Sequence, residues 1–434
     1  MDDAGYPVVQ VALDLIQLER AVQIAREALE GGANWLEAGT PLIKSEGMEA
    51  VRRLRREFPD TYIVADMKTV DVGYLDVEIA SRAGANAVAI LATADDATVK
   101  EALKTAGRFG IHVQVDLLGV EDLSRRVAEL EALGVDRLCY HVGIDQQMRG
   151  MDPFEGLRAL RGMTSARLAV AGGLTSETVA EAVANGADIV IVGGAITKSN
   201  DVAAATGAIV RAMRHGESVP SELYRRYDES NVVEAFRRVS TPNIADAMQK
   251  AGGMVGIKAY ILPGRKMVGR AVTVRTIDGD WAKPVEAIDV AGKGDVIVID
   301  AGGGTMAIWG ELASWSSRQK GIEGVVIDGA ARDVPDIFEM DFPVFARHLN
   351  PVAGDPKGHG EIGITIRCGG VTVRPGDWVI GDGTGVIVVP REMAVEMANR
   401  ALDVMERENR IREEIQRGST LSRVLELERW EVNR

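Results

Sequence analysis

Cysteine, aromatic residues and positive charge are all in short supply in this sequence. Two cysteines, Cys139 and Cys368, stand far apart in 434 residues. That excludes a disulfide framework or a CxxC metal knuckle and predicts a reducing compartment. Aromatics are 5% of the chain, so its cores must be packed with aliphatic side chains. The 50 Lys and Arg against 64 Asp and Glu leave a net charge of −14, which lacks the electrostatic footprint of a nucleic-acid binder. No apolar run approaches the roughly 20 residues that cross a bilayer. Met1-Asp2-Asp3 lacks the basic start of a secretory leader, and a soluble cytoplasmic protein is expected. Glycine, in contrast, is plentiful at 48 residues, as suits many short strand–loop–helix units.

Eight short β-rich runs recur between residues 8 and 192: Val8–Asp14, Trp35–Ala38, Tyr62–Lys68, Ala87–Leu91, Ile111–Asp116, Arg137–His141, Arg167–Ala171 and Ile189–Val192. Segments of helical periodicity separate them, and near-continuous aliphatic runs fit parallel strands covered by helices. A tripeptide repeat marks alternate units: Gly32-Ala33-Asn34, Gly84-Ala85-Asn86, Gly134-Val135-Asp136 and Gly186-Ala187-Asp188. Each glycine suits the left-handed turn that closes a helix. The pattern predicts a (β/α)8 barrel over residues 1–215, with an open doubly wound sheet as the weaker alternative for want of a GxGxxG turn.

Chemistry in such a barrel collects where the strands end. There the sequence places Asp14, Glu37, Asp66 with Lys68, Asp116 and His141, then the glycine pairs Gly172-Gly173 and Gly193-Gly194. Alternation along a strand puts Asp66 and Lys68 on one face. A single strand-end carboxylate usually caps a helix, but six polar residues at converging strand ends indicate a site. The glycine pairs offer bare backbone amides and helix starts after strands 7 and 8, a phosphate site without positive side chains. Cys139 reads as core filling.

Three stretches carry a resemblance: Ala12-Leu13-Asp14, Glu37-Ala38-Gly39-Thr40-Pro41-Leu42, and the DxKxxD run Asp66-Met67-Lys68-Thr69-Val70-Asp71. They resemble the orotidine-phosphate decarboxylase superfamily. The EAGTPL stretch and His141-Val142-Gly143-Ile144-Asp145-Gln146 are similar to its 3-hexulose-6-phosphate synthase branch. Ile144 and Gly194 stand where the related 3-keto-L-gulonate-6-phosphate decarboxylases usually carry arginine, which speaks against that branch. The resemblance implies condensation of formaldehyde with ribulose 5-phosphate through an enediolate. It assigns Mg2+ (or Mn2+) to Glu37 and Asp66, oxyanion stabilisation to Lys68, proton transfer to His141, and substrate hydroxyls to Asp14 with Asp116 beside it. Phosphate falls to the glycine pairs, and Asp71 enters a neighbouring subunit's site in a homodimer.

After a short junction, residues 216–229, the texture changes. Runs at Gly269–Thr276, Val296–Asp300, Val325–Asp328, Val371–Val373 and Val386–Val389 are joined by Pro-Gly and Asp-Gly turns, which favour an antiparallel and mixed sheet with few helices. Residues 230–434 form this second expected domain, closed by a helix rich in Arg and Glu. The Gly302-Gly303-Gly304 run after Asp300 is a weak anion cradle. Arg332-Asp333 fits equally a surface ion pair in a turn or a carboxylate grip beside a metal ligand. Glu311, twenty residues, then Arg332-Asp333, with Asp336 following, resembles the RraA-like family and its 4-hydroxy-4-methyl-2-oxoglutarate aldolases with oxaloacetate decarboxylase activity. That resemblance implies an α/β/β swivelling domain in trimers or hexamers. In it Arg332 binds a pyruvate carboxylate, Asp333 ligates Mg2+ and Glu311 supports a metal-bound water; a non-enzymatic regulatory or assembly role is the alternative.

Overall fold

Eight strands, β1 (Val8–Leu13), β2 (Trp35–Ala38), β3 (Tyr62–Thr69), β4 (Ala87–Leu91), β5 (His112–Asp116), β6 (Arg137–His141), β7 (Arg167–Ala171) and β8 (Ile189–Val192), pair in parallel and in sequence order. The sheet closes where β1 meets β8 in the register Val8–Ile189 to Val11–Val192. These are the strands of a computed structural model that describes residues 7–143, 148, 154–221, 226–416, 418–425 and 427. Ile144, Asp145 and Gln146 lie outside the described residues. The chain forms two compact units, Met1–Arg226 with Asn409–Arg434, and Tyr227–Glu408. The closing residues, expected with the second domain, are thus part of the first unit.

The aliphatic runs follow from burial on both faces. Val9, Val11 and Leu13 of β1 join the core shared with the surrounding helices, while Val8 and Ala12 join a separate core inside the barrel. At the strand starts the interior is plugged. Trp35 stacks on Tyr62 at 4.1 Å, and the Arg137 guanidinium lies 5.9 Å from both rings. Toward the strand ends the inward positions shrink to Ala12, Ala89 and Ala171, which opens the barrel at its C-terminal face alone.

The repeated tripeptides do two jobs. Gly32, Gly84, Gly134 and Gly186 all have φ between 94° and 101°, the left-handed turn the spacing predicts. The third residue then caps the sheet. Asn34 accepts from the Val9 amide, Asn86 from Ile63 and Asp188 from Leu168, each at 2.8 Å.

In the second unit the strands are β9 (Lys258–Tyr260), β10 (Met267–Arg275), β11 (Asp295–Asp300), β12 (Ala307–Trp309), β13 (Gly324–Ala331), β14 (Val344–Leu349), β15 (Glu361–Ile362), β16 (Ile366–Cys368), β17 (Val371–Val373), β18 (Trp378–Asp382) and β19 (Gly385–Val389). Its main sheet runs β19-β18-β10-β11-β13-β14-β9. The centre, β10-β11-β13-β14, is parallel and only the flanks are antiparallel. This corrects the expectation of few helices, because parallel neighbours need crossovers. Ala282–Val290, Glu311–Lys320 and Val334–Glu339 provide them. The middle helix escaped notice because the residues it buries are serines, Ser314 and Ser317, so it has no hydrophobic stripe.

Close helix packing gives a stability test. A Cβ on Gly31 would lie 2.5 Å from the Ala203 carbonyl and 2.7 Å from Thr206 Cβ, whereas one on Gly107 meets nothing within 4 Å. Gly31→Ala should cost about 1–3 kcal/mol, while Gly107→Ala, in an exposed helix, should stabilise by roughly 0.5–1 kcal/mol. Denaturant titration of both variants checks the contrast.

Candidate active site

Every strand-end residue singled out in the barrel except Asp71 lines one cavity of about 780 Å3: Asp14, Glu37, Asp66, Lys68, Asp116, His141, Gly172, Gly173, Gly193 and Gly194. The turn that brings Lys68 in is not simple alternation. Pairing of β3 with β4 slips between Asp66 and Thr69, and Lys68 takes φ 46°, a left-handed conformation disfavoured for a residue with a Cβ. The bulge curls the ammonium back over its own strand. Lys68 Nζ then lies 3.1 Å from Asp66 Oδ2 and 3.2 Å from Asp116 Oδ2.

Asp116 Oδ2 also accepts from His141 Nδ1 at 2.8 Å, and Asp116 Oδ1 from the Leu118 amide at 2.9 Å. Burial would raise the Asp116 carboxyl, but His141, Lys68 and that amide hold it below its ordinary value. Burial likewise pulls the Lys68 ammonium toward neutrality, and Asp66 and Asp116 more than offset it, so the group stays charged.

Across the cavity the balance is reversed. Desolvation, then Asp66 and Asp14, push Glu37 well above the carboxylate range, although Gln10 opposes the shift with a hydrogen bond. Desolvation and Asp66 raise Asp14 as well. Burial raises the Cys139 thiol, in keeping with core filling.

Three supporting residues went unread in the sequence. Gln10, wholly buried, donates through Nε2 to Glu37 Oε2. Thr40 Oγ1 lies 2.7 Å from Asp66 Oδ2 and 2.9 Å from the Asp66 carbonyl. Lys44 lines the cavity wall. Gln10 was findable, since it sits two residues before Ala12 on the inward face of an otherwise aliphatic strand.

Among the described residues no group of three or more His, Cys, Asp and Glu side chains forms a metal cage. Glu37 and Asp66 nonetheless fit a hard cation that keeps water and substrate oxygens in its shell. Both are carboxylates, their mutual repulsion raises Glu37, and buried Gln10 Oε1 has no hydrogen-bond partner.

The phosphate reading needs one adjustment. The helix after Gly172-Gly173 begins only at Val179, and Gly194–Thr197 is a single turn, so backbone amides rather than helix ends face the cavity. Among the described residues the Gly173 and Gly194 amides donate to no backbone oxygen. Gly172, at φ 117°, could not carry a Cβ, which would sit 2.5 Å from the Val142 carbonyl.

Asp71 is not on this cavity. It is exposed, and its carboxylate accepts from the Val72 amide at 2.7 Å.

In the second unit, Asp333 Oδ2 accepts from the Glu311 amide at 3.1 Å and lies 3.4 Å from Arg332 Nε. Asp333 has φ 58°, and a Cβ on Gly310 would lie 2.5 Å from its Oδ2. Arg332, Asp333 and the backbone of Glu311 therefore meet, with Arg332 half exposed. The triple glycine offers no anion cradle, because its amides are used internally: Gly302 to Asp300 Oδ1, Gly303 to the Asp328 carbonyl and Gly304 to the Ala301 carbonyl.

The electrostatics of Glu37 have a measurable sign. Its folded pKa lies above the unfolded value, so the stability cost of ionising it appears as pH rises past the ordinary carboxylate range. Glu37→Gln should therefore raise the melting temperature at pH 8 by a few degrees, and the gain should vanish near pH 4. Calorimetry at the two pH values measures it; equal gains at both would show that repulsion is not the cause.

Comparison with known proteins places both halves of the chain in known families. The Orotidine 5'-phosphate decarboxylase / HUMPS family matches residues 7–209, and the RraA-like family, described as Aldolase/RraA, matches residues 241–388. The 3-hexulose-6-phosphate synthase of Bacillus subtilis is 37% identical over 186 residues, covering 43% of this chain and 88% of that protein. Among solved structures, 3-hexulose-6-phosphate synthase from Salmonella typhimurium is 34% identical, with a TM-score of 0.47 over 48% of this chain and 100% of that one. A 3-keto-L-gulonate-6-phosphate decarboxylase from Vibrio cholerae is 26% identical, with a TM-score of 0.44 over 50% and 100%. The chain belongs to the orotidine 5'-phosphate decarboxylase / HUMPS family through its barrel, with an RraA-like domain fused behind it.

Proposed function

We propose that the barrel catalyses the reversible aldol condensation of formaldehyde with D-ribulose 5-phosphate. The observation that carries this is the chain of contacts Asp66–Lys68–Asp116–His141 on one cavity wall. Asp116 accepts the proton on His141 Nδ1, which leaves Nε2 as the basic nitrogen. From there His141 removes the C1 proton of ribulose 5-phosphate. The resulting enediolate carbon forms a bond to formaldehyde carbon, and His141 returns its proton to the new alkoxide oxygen. Lys68, held charged, stabilises the developing oxyanion rather than forming an imine. Glu37 and Asp66, oriented by Gln10 and Thr40, would hold Mg2+ or Mn2+, which when bound supplies Lewis-acid charge to the enediolate oxygens. Asp14 takes substrate hydroxyls, and the amides at Gly172-Gly173 and Gly193-Gly194 take the phosphate.

In this proposal Asp71 completes the site of a second barrel in a dimer. Exposed Val70, Val72, Tyr74 and Leu75 beside it are the surface such a pairing would cover. For the RraA-like domain we propose metal-dependent cleavage of a pyruvate-yielding keto acid, or decarboxylation of oxaloacetate, in trimers or hexamers. There Arg332 grips the carboxylate while Asp333 and Glu311 serve the metal. No helix among the described residues is long and apolar enough to cross a membrane.

Consumption of ribulose 5-phosphate should depend on formaldehyde and be abolished by EDTA. Asp66→Ala should lower kcat by roughly 10²–10⁴ and weaken Mg2+ binding. Unchanged turnover in that variant would refute the site, and formaldehyde-independent CO2 release from 3-keto-L-gulonate 6-phosphate would move the barrel to the decarboxylase branch.

Asp333→Ala should abolish keto-acid lyase activity and leave the condensation rate within about twofold, since sites without shared partners behave additively. Wild-type protein with Mg2+ that cleaves neither 4-hydroxy-4-methyl-2-oxoglutarate nor oxaloacetate would favour a regulatory or assembly role for the domain.

A further inference from the structure

The closing segment of the chain packs on the barrel unit at the rim that carries the glycine turn after β8. Arg410 Nη1 donates to the Thr197 carbonyl at 3.4 Å. Thr197 ends the four-residue turn that begins at Gly194. Arg410 Nε also bonds Glu414 Oε1 at 3.4 Å, and Glu414 pairs with Arg20. Arg20 lies in the first turn of helix Leu18–Glu30, which follows β1. One residue before that helix, Gln17 Nε2 reaches the Val424 carbonyl at 3.5 Å.

Because β1 and β8 are neighbours in the barrel, these contacts tie together the loops on either side of the phosphate end of the cavity. The two loops are already close, since a Cβ on Gly193 would sit 3.6 Å from Asp14 Oδ2.

The contacts form a built arrangement rather than a loose surface meeting. Arg410, Glu414 and Arg20 keep only 19%, 22% and 19% of their side-chain surface exposed, and their charges alternate. A single helical turn is too short to be stable alone, and its C-terminal carbonyls carry the negative end of the peptide dipoles. A guanidinium on the last carbonyl fixes the turn, and with it the Gly193-Gly194 amides at the other end. The family match stops at residue 209, so Arg410 and Glu414 lie outside the part of the chain shared with that family, while Thr197 and Arg20 lie inside it.

We propose that Arg410 is a positioning residue for the phosphate end of the barrel site. It acts through Thr197 and does not touch the substrate. The proposal rests on the assignment of the glycine turns to a phosphate.

The test uses full-length protein and two probes, inorganic phosphate by titration calorimetry and ribulose 5-phosphate in steady-state kinetics. Arg410→Met should weaken phosphate binding roughly tenfold, the order expected when a charge-assisted hydrogen bond holding a binding loop is lost. KM for ribulose 5-phosphate should rise by the same factor, with kcat within about twofold and KM for formaldehyde unchanged. Arg410→Lys should recover part of the loss, and Arg125→Met, at an exposed position, should change nothing. Should Arg410→Met fail to fold, Glu414→Gln keeps the arginine but loosens it, and should shift phosphate affinity in the same direction by roughly threefold.

Unchanged phosphate affinity in a folded Arg410→Met or Glu414→Gln overturns the proposal, as does a fall in kcat at constant KM. Wild-type protein that binds no phosphate overturns it too. If wild type binds phosphate but shows no formaldehyde-dependent turnover, the proposed reaction fails, and the Arg410 assignment is judged by phosphate affinity alone.

Discussion

Four carboxylates converge on one cavity, and burial pushes Asp14, Glu37 and Asp116 toward the neutral form. The Lys68 ammonium is what permits the arrangement. It contacts both Asp66 and Asp116, helps hold Asp116 below its ordinary pKa, and through Asp116 fixes the His141 ring. The backbone is shaped around this requirement. β3 abandons its pleat and Lys68 adopts a left-handed conformation, a local cost borne because a regular strand would not lay the ammonium against the carboxylates of two strands at once. Replacing the lysine would leave buried like charges facing each other, so the cavity and the strand geometry stand or fall together.

The barrel's polarity serves the same end. Trp35, Tyr62 and Arg137 fill its floor, while alanines at the inward positions higher up leave space. The cavity has one open face, the one where the strand-end residues and the glycine turns lie. The proposed phosphate site suits an acidic chain, because backbone amides would present partial positive charge without adding a cation to the balance with Lys68.

Much of this was legible in the sequence because parallel strands buried on both faces write themselves as aliphatic runs. Polar residues that end such runs, as Asp14, Asp116 and His141 do, stand out against them. The tripeptide glycines were legible for a similar reason, since a left-handed turn admits few other residues. What remained hidden was set by tertiary contact. Nothing local announces that β3 bulges at Lys68 or that Thr40 bonds Asp66. The serine face of Glu311–Lys320 carries no periodic signal, so the parallel centre of the second sheet was concealed. The glycines after Asp300 read as a weak cradle, but their amides are taken up by Asp300, Ala301 and, from the neighbouring strand β13, Asp328. Arg410 lies some two hundred residues from Thr197, in a helix whose Arg and Glu content reads as a solvated surface.

The two sides of the cavity are unequal in a way that bears on chemistry. Asp116 is held below its ordinary pKa and Lys68 is charged, whereas Glu37 and Asp14 are pushed up. The cavity is therefore short of positive charge on the Glu37 side. A divalent cation held by Glu37 and Asp66, as proposed, would make up that deficit and favour the ionised form of Glu37. Relief of the carboxylate repulsion that raises Glu37 would then contribute to the cation's binding free energy. In the proposed reaction the cation would favour charge developing on a substrate oxygen in that region, while the amides of the glycine turns would take the phosphate. The fold would then separate the substrate's two negative regions between two kinds of positive partner. In the proposed reaction that separation would suit proton removal next to a carbonyl, because the cation would stand where the transition state develops its charge.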